Sequence, residues 1–385
     1  MILTLQTSTF GAYGGIPTYN RLVCKVLNEF SEGLEKVVLI ATDNPSDVKP
    51  QDAELTNLSI EAFACSKAAF IQRVLGIALT RRIDLLLVGH VNYVPLALLL
   101  RRLQPELRYG LLIYGVEVWT RLSLARRRAL QQADFVVSIS EYTKQQAVEV
   151  NGALEDRIHL LPNALDSDAE GYASTLARRP SSIGVRLLTV CRLDKSEKYK
   201  GVDKVIEALP AVAAQVPDVR CFIIGSGTDV ERHKELAKEF GVADRVHFLG
   251  FVDDVVLHEQ YQMCDVFVMP SAGEGFGFVF LEAMQHGKAV VAADSGGAPE
   301  VVRDDVTGVL VQYGDVPQLA EELIRLCLDP ELRARMGRAG YERLQTHFSF
   351  PRFKETLSGI LKREVPAASI YTARRRALFN AGQVR

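Results

Sequence analysis

The sequence predicts two consecutive α/β domains, each built on a parallel sheet covered by helices. Three observations carry this. Short runs that are apolar throughout alternate with segments of helical periodicity, the pattern of strands buried on both faces. The alternation breaks over 163–184 (NALDSDAEGYASTLARRPSSIG) and then restarts. The chain has 385 residues, beyond the roughly 250–300 at which a single core stops growing.

In the first half the expected strands are 2–7, 37–41, 84–88, 109–113, 135–139 and 158–161. Helical patterns lie between them at 17–30, 66–81, 95–103, 121–132 and 142–150. Residues 44–64 are polar and without clear periodicity, so they read as a loop or excursion. The break at 163–184 is rich in Ser, Ala, Arg and Gly and reads as the linker. In the second half strands are expected at 186–191, 220–225, 246–249, 266–270, 289–293 and 309–312. Helices are expected at 202–214, 230–240, 256–264, 277–286, 317–328, 331–347 and 351–363. The restart is one of architecture; no sequence repeat accompanies it.

Composition narrows the function. Hydrophobic residues make up 48% and charged residues 24%, which excludes a disordered chain. The formal net charge of −2 offers no global attraction to nucleic acid. Six scattered cysteines (Cys24, Cys65, Cys191, Cys221, Cys264, Cys327) form no CxxC, so they read as mostly buried thiols in a reducing compartment rather than a zinc site. The N-terminus lacks the basic and apolar regions of a signal peptide, and no stretch reaches the roughly 20 apolar residues of a membrane span. A cytoplasmic protein is expected. From 361 onward Lys362, Arg363, Arg374, Arg375, Arg376 and Arg385 face one acid, Glu364. That is either a solvated tail or a contact with an anionic membrane surface.

The densest chemistry lies in 266–300. A strand leads into the glycine-rich loop Gly273-Glu274-Gly275-Phe276-Gly277, followed by a helix. Free amides at a helix start receive anionic or hydroxyl-rich groups, and glycine lets a ligand approach the backbone. Glu274 sits at the carboxyl end of the strand, where open α/β sheets bind ligands. Glu282 lies deeper, within the apolar FVFLEAM, and needs a partner. Paired ribose hydroxyls would serve, and so would a salt bridge or helix cap. The loop Ser295–Glu300 follows the next strand and ends on the same sheet edge. Arg192 and Lys200 flank the strand–helix loop RLDKSEKYKG. Two cations there would neutralise a diphosphate and its leaving-group charge. Lys195 and Lys198 share the loop as solvated charge, and Asp166-Ser167-Asp168 reads as a turn in the linker.

In the first half Gly11, Gly14 and Gly15 separate the first strand from the first helix. Tyr13 and Ile16 break a GxGxxG fingerprint, so a dinucleotide reading is weak and a diphosphate or sugar contact suits the loop better. His90 ends another strand and is either a ligand contact or a hydrogen-bonded structural histidine. His159, His233, His247, His258, His286 and His347 read as surface or packing residues.

The ordered set of the Glu274-x7-Glu282 pattern in GEGFGFVFLEAMQHGKAVVA, the downstream GGAPE, the CRL…YKG segment and the upstream glycine loop resembles retaining glycosyltransferases of the GT-B fold, the large group called family 4. The resemblance spans nearly the whole chain. It implies two Rossmann-like domains facing across a cleft: an acceptor-side domain at 1–165, a linker at 166–184 and a nucleotide-sugar domain at 185–347. A terminal helix at 348–364 would cross back to the first domain, and a basic tail would follow at 365–385. It implies that Glu282 binds the ribose hydroxyls, Glu274 the donor sugar, and Arg192 and Lys200 the diphosphate. Phe276 and Gly277 would supply backbone contacts, and Gly14 and Gly15 would meet the donor phosphate and sugar.

The implied donor is a UDP- or GDP-sugar, with no metal and no further cofactor. The implied acceptor is a saccharide, a lipid-linked precursor or a small molecule bearing a hydroxyl, with nucleic acid excluded. One departure stands out. Relatives carry His-Gly after a first-domain strand, where this chain has Tyr114-Gly115. An ordinary phenol is a poor base at neutral pH, so Glu117 and His90 join Tyr114 as acceptor-side catalytic candidates. A non-catalytic nucleotide-sugar binder and an epimerase or phosphorylase on the same fold are the alternatives.

Overall fold

A computed structural model describes residues 1–48, 55–166, 184–367 and 369–370. All of the expected linker except Asp166 and Gly184 lies outside the described residues. So do Arg374–Arg376 and Arg385 of the basic tail, and Ser167 and Asp168 of the acidic string. The chain divides into two compact units, Met1–Asn163 with Phe350–Arg385, and Ala164–Ser349.

The first unit holds seven parallel strands: β1 (Ile2–Gln6), β2 (Lys36–Ile40), β3 (Ser59–Ala62), β4 (Leu85–Val88), β5 (Arg108–Ile113), β6 (Phe135–Ser138) and β7 (Ile158–Leu160). They lie in the order β3-β2-β1-β4-β5-β6-β7. Leu3 of β1 pairs with Val37 of β2 on one side and Leu86 of β4 on the other. Leu3, Leu5, Leu86 and Leu111 pack on one face, and Val38 and Ile40 pack with Cys24 on the opposite face. Each such side chain, fully buried, stabilises the fold by ~1.5–3 kcal/mol. The helices are α1 (Gly15–Glu29), α2 (Lys67–Thr80), α3 (Val94–Leu103), α4 (Val116–Trp119), α5 (Leu124–Gln131) and α6 (Glu141–Asn151).

Two expectations need correction. Residues 44–64 are not all loop, because β3 forms the sheet edge. Its residues are exposed or half-buried, and an edge strand without a fully buried face leaves little apolar signature. The helix expected at 121–132 starts only at Leu124, and a separate short helix, α4, ends before it at Trp119. The chain leaves helical geometry at Thr120 and re-enters after Ser123.

The second unit holds β8 (Arg186–Val190), β9 (Arg220–Ile224), β10 (Val246–Gly250), β11 (Val266–Met269), β12 (Ala289–Ala293) and β13 (Gly308–Val311), all parallel, in the order β10-β9-β8-β11-β12-β13. Its helices are α7 (Val202–Gln215), α8 (Val230–Glu239), α9 (Asp254–Met263), α10 (Phe278–Gln285), α11 (Ala298–Val301), α12 (Val316–Leu328) and α13 (Pro330–His347). Leu187, Ile206, Ile223, Val268, Val291 and Leu323 are central to its core. The last helix, α14 (Phe350–Glu364), belongs to the first unit. Phe353 meets Tyr19 of α1 edge-on at 5.2 Å, and Glu364 accepts from Arg108 at 2.6 Å.

Both sheets reverse direction of growth at one place, between β1 and β4 and between β8 and β11. Such switch points splay the following loops apart and open a crevice at the carboxyl ends of the strands.

Candidate functional site

In the second unit three loops converge at the switch point. The first follows β8 and contains a 3₁₀ segment at Lys195–Lys200. The second follows β11 and the third follows β12. They interlock through backbone. Ala272 N–H donates to the Tyr199 carbonyl at 2.8 Å, and Gly297 N–H donates to the Glu274 carbonyl at 2.7 Å. Ser295 Oγ donates to the Ala272 carbonyl at 2.7 Å. A Cβ on Gly201 would lie 2.4 Å from the Pro270 carbonyl oxygen, and one on Gly297 would lie 2.2 Å from that of Gly275. The glycines are there because backbone passes against backbone.

Lys200 and Glu274 meet on this bed, Nζ to Oε2 at 2.6 Å, with side chains only 17% and 14% exposed. Burial pulls the Lys200 ammonium down. The charge and hydrogen bond of Glu274 more than offset it, and its pKa stands above the ordinary lysine value. Arg192 is not part of this pair; its exposed guanidinium engages Glu197, five residues on in the same loop. Phe276 buries its ring against Phe348 at 5.3 Å and so contributes backbone rather than side chain to the surface. Gly277, at φ +95°, opens α10 with no side-chain cap, leaving first-turn amides to a ligand.

Glu282 lies one turn further along α10 and is half-buried. Tyr261 of α9 donates its phenol to Oε2 at 2.7 Å. Burial raises the Glu282 pKa, the phenol draws it back, and Asp254 pushes it up again. Neither Tyr261 nor His286 stood out in the sequence, since each sits in a polar stretch (HEQYQ and QHGK) that marks no motif. His286 in fact donates through Nδ1 to the Glu282 carbonyl at 2.8 Å and meets His258 through Nε2 at 2.8 Å. Only the recurrence of aromatic and histidine residues on α9 and just after α10 hinted at it.

In the first unit, Asp43 organises the loop after β1. Its carboxylate accepts from Ser8 Oγ at 2.5 Å and from the amides of Thr9 and Phe10 at 2.9 and 2.7 Å. Gly14 (φ +130°) and Gly15 are exposed and start α1 without a side-chain cap. His90 follows β4 and accepts at Nδ1 from the Asn92 amide at 3.1 Å, so Nε2 carries its proton. Burial and then Arg126 lower its pKa, leaving a neutral donor. Tyr114 is buried, its hydroxyl spent on Asn20 Oδ1 at 3.0 Å. Burial, with Glu117 adding to it, holds the phenol far above its ordinary pKa. Glu117 folds back to accept from the Tyr114 amide at 2.5 Å. Its pKa is raised by burial and pulled back by neighbouring amides. The six cysteines are free; four are buried, Cys191 is half-buried and Cys65 is exposed. Among the described residues no His, Cys, Asp or Glu cluster is arranged for a metal ion, and no helix is long and apolar enough to cross a membrane.

The family model for Glycosyl transferases group 1 matches residues 180–343. A GDP-mannose-dependent alpha-(1-6)-phosphatidylinositol monomannoside mannosyltransferase of Mycobacterium tuberculosis is 34% identical over 284 residues, covering 70% of this chain and 73% of the relative. This chain belongs to that glycosyltransferase family. The enzyme of the same description from Mycolicibacterium smegmatis is 37% identical, covering 64% of this chain and 68% of the relative. Among solved structures, Anabaena HepE in complex with UDP superposes with a TM-score of 0.75 at 19% identity, over 94% of this chain and 99% of that one. The sucrose-phosphate synthase of Thermosynechococcus elongatus gives 0.74 at 21%, over 94% and 98%. The fold is GT-B, and the protein is a retaining glycosyltransferase that uses a nucleotide-sugar donor and a hydroxyl acceptor.

Proposed function

We propose that this glycosyltransferase moves mannose from GDP-mannose to a hydroxyl of a glycosylated phosphatidylinositol lipid. The activities of the two mannosyltransferase relatives support the donor and acceptor. The observation that carries the donor site is the half-buried Lys200–Glu274 pair on the interlocked loop bed at the switch point.

In this reading Lys200 turns to the diphosphate when donor arrives, and Glu274 accepts from the sugar hydroxyls. Arg192 joins from its pair with Glu197. Its guanidinium is 72% exposed, although Glu197 is only 12% so, and a diphosphate can reach and compete for it. Both cations then stabilise charge that develops on the departing phosphate, which accelerates transfer. Glu282 takes the ribose hydroxyls, and the amides of Phe276 and Gly277 face the donor. On the acceptor side, Tyr114 makes a poor base because its phenol is buried and committed to Asn20, and Glu117 is committed to backbone amides. The acceptor proton therefore passes to the departing phosphate on the same face of the sugar, which retains configuration. His90 donates from Nε2 to orient a hydroxyl. The basic tail holds the enzyme at an anionic membrane surface on the cytoplasmic side, where a lipid acceptor lies.

The test offers purified enzyme labelled GDP-mannose, UDP-glucose and UDP-N-acetylglucosamine with vesicles containing phosphatidylinositol monomannoside. Mannose appearing in the lipid, from GDP-mannose alone, is expected. Transfer from a UDP-sugar only, or to a water-soluble acceptor with the lipid ignored, overturns the proposal.

A further inference from the structure

Tyr261 is 1% exposed, and its hydroxyl lies 2.7 Å from Glu282 Oε2; its other neighbour, the Val279 carbonyl, is 3.5 Å away. The ring cannot drift. His286 stacks on it at 5.3 Å with planes 16° apart, and Phe267 lies at 5.8 Å. His286 is itself held at both nitrogens, and its carbonyl partner sets its proton order. His286 Nδ1 must donate, because its partner is the Glu282 carbonyl, so Nε2 accepts. His258 Nδ1 then donates to it, and His258 Nε2 meets the Gln262 side-chain amide at 2.7 Å. The chain ends on the Glu282 backbone and stacks beneath the phenol that holds the Glu282 side chain.

We infer that Tyr261 is a positioning residue for donor recognition: it fixes the plane of the Glu282 carboxylate, and His286 fixes Tyr261. An ionised carboxylate has about four lone-pair sites, and the phenol uses one of them. The remaining ones then face a pair of vicinal hydroxyls without the entropy cost of freezing a free side chain. Packing alone does not require this arrangement. A phenylalanine would fill the same space, and a glutamate among the apolar residues of α10 costs solvation that a purely structural position would avoid. The charged and titratable groups facing the pair are Asp254 and His258 on α9, Cys264 at its end, Cys191 after β8 and His286 after α10. The inference rests on the assignment of Glu282 to ribose.

The experiment measures binding of GDP and 2′-deoxy-GDP by calorimetry between pH 5.5 and 8, with donor KM and kcat, for wild type, Tyr261→Phe and Glu282→Ala. Glu282→Ala is expected to abolish the preference for GDP over 2′-deoxy-GDP. Tyr261→Phe is expected to weaken GDP binding roughly tenfold, as loss of a hydrogen bond to a charged group does. It should raise donor KM more than it lowers kcat and move the acid limb of binding to higher pH. A Phe variant with wild-type preference and acid limb, beside a Glu282→Ala variant that has lost the preference, overturns the role of Tyr261 alone. A Glu282→Ala variant that keeps the preference overturns the ribose assignment and the inference with it. Tyr261→Met, also without a hydroxyl, repeats the comparison if the Phe variant does not fold.

Discussion

Lys200 and Glu274 hold each other in a place that neither would tolerate alone. Removing one partner of a buried pair leaves the other uncompensated. In Glu274→Ala the burial that lowers the Lys200 pKa is opposed only by Tyr199 and Cys191, so its pKa falls from its wild-type position. Glu274→Gln keeps the shape and a hydrogen-bond acceptor, so this variant is expected to bind GDP within a few-fold of wild type and to lose most of its transfer rate. Lys200→Ala is expected to weaken GDP binding by about tenfold or more, as removal of a charge-assisted contact does. Calorimetry against GDP beside a transfer assay separates the two. Equal loss of binding in both variants would show that the pair acts as a structural unit. That Glu274 and Lys200 would sit on loops at strand ends was legible in the sequence, because glycine-rich segments after apolar runs mark such loops. That Arg192 would instead engage Glu197 was not, since a loop's internal pairing depends on side-chain direction that spacing does not encode. Nor did the Tyr114-Gly115 departure reveal that the phenol would point inward to Asn20.

Among the elements, α10 carries the most consequence, because it begins at the loop bed, presents Glu282 and ends beside His286. Burial depresses the His286 pKa to about 4, against about 6.5 in an unfolded chain. The unfolded state therefore binds the extra proton between those values. The stabilising contribution is fully present above pH 6.5 and is lost as pH falls through 4, up to roughly 3 kcal/mol in all. His286→Gln is expected to flatten that part of the acid limb in urea unfolding followed from pH 7 to 4, while costing some stability at neutral pH through the lost backbone contact. An unchanged acid limb would place the titration elsewhere. The bed itself makes a separate prediction. Gly297 has an ordinary φ of −87°, so alanine there fails only by contact with the Gly275 carbonyl, which as backbone cannot step aside. Gly297→Ala should prise the loops after β11 and β12 apart and lose donor binding with most of the melting temperature kept. The continuous apolar strands were legible because a sheet covered on both faces permits nothing else. The edge strand β3 was not, because SIEA has neither face fully buried.

At the scale of the whole molecule, the chain builds one six-strand order twice, with a seventh strand added at the edge of the first sheet, and then goes back. After Ser349 it returns α14 to the first unit, where Phe353, Leu357, Ile360 and Leu361 are buried, Lys354 pairs with Glu29 and Arg108 pairs with Glu364. Four buried side chains at ~1.5–3 kcal/mol each make an upper bound of ~6–12 kcal/mol. Whole domains are stable by only about 5–15 kcal/mol. The first unit is thus expected to depend on a helix made last, whereas the second has its core complete by α13. A chain ending at Ser349 should show two calorimetric transitions, the first unit melting well below the full-length protein and the second close to it. GDP binding should survive between them if the donor bed after β8, β11 and β12 is self-sufficient. Loss of GDP binding at temperatures where the second unit is folded would show that the bed is not self-sufficient. A single transition at the full-length temperature would show that α14 adds little to the unit it rejoins.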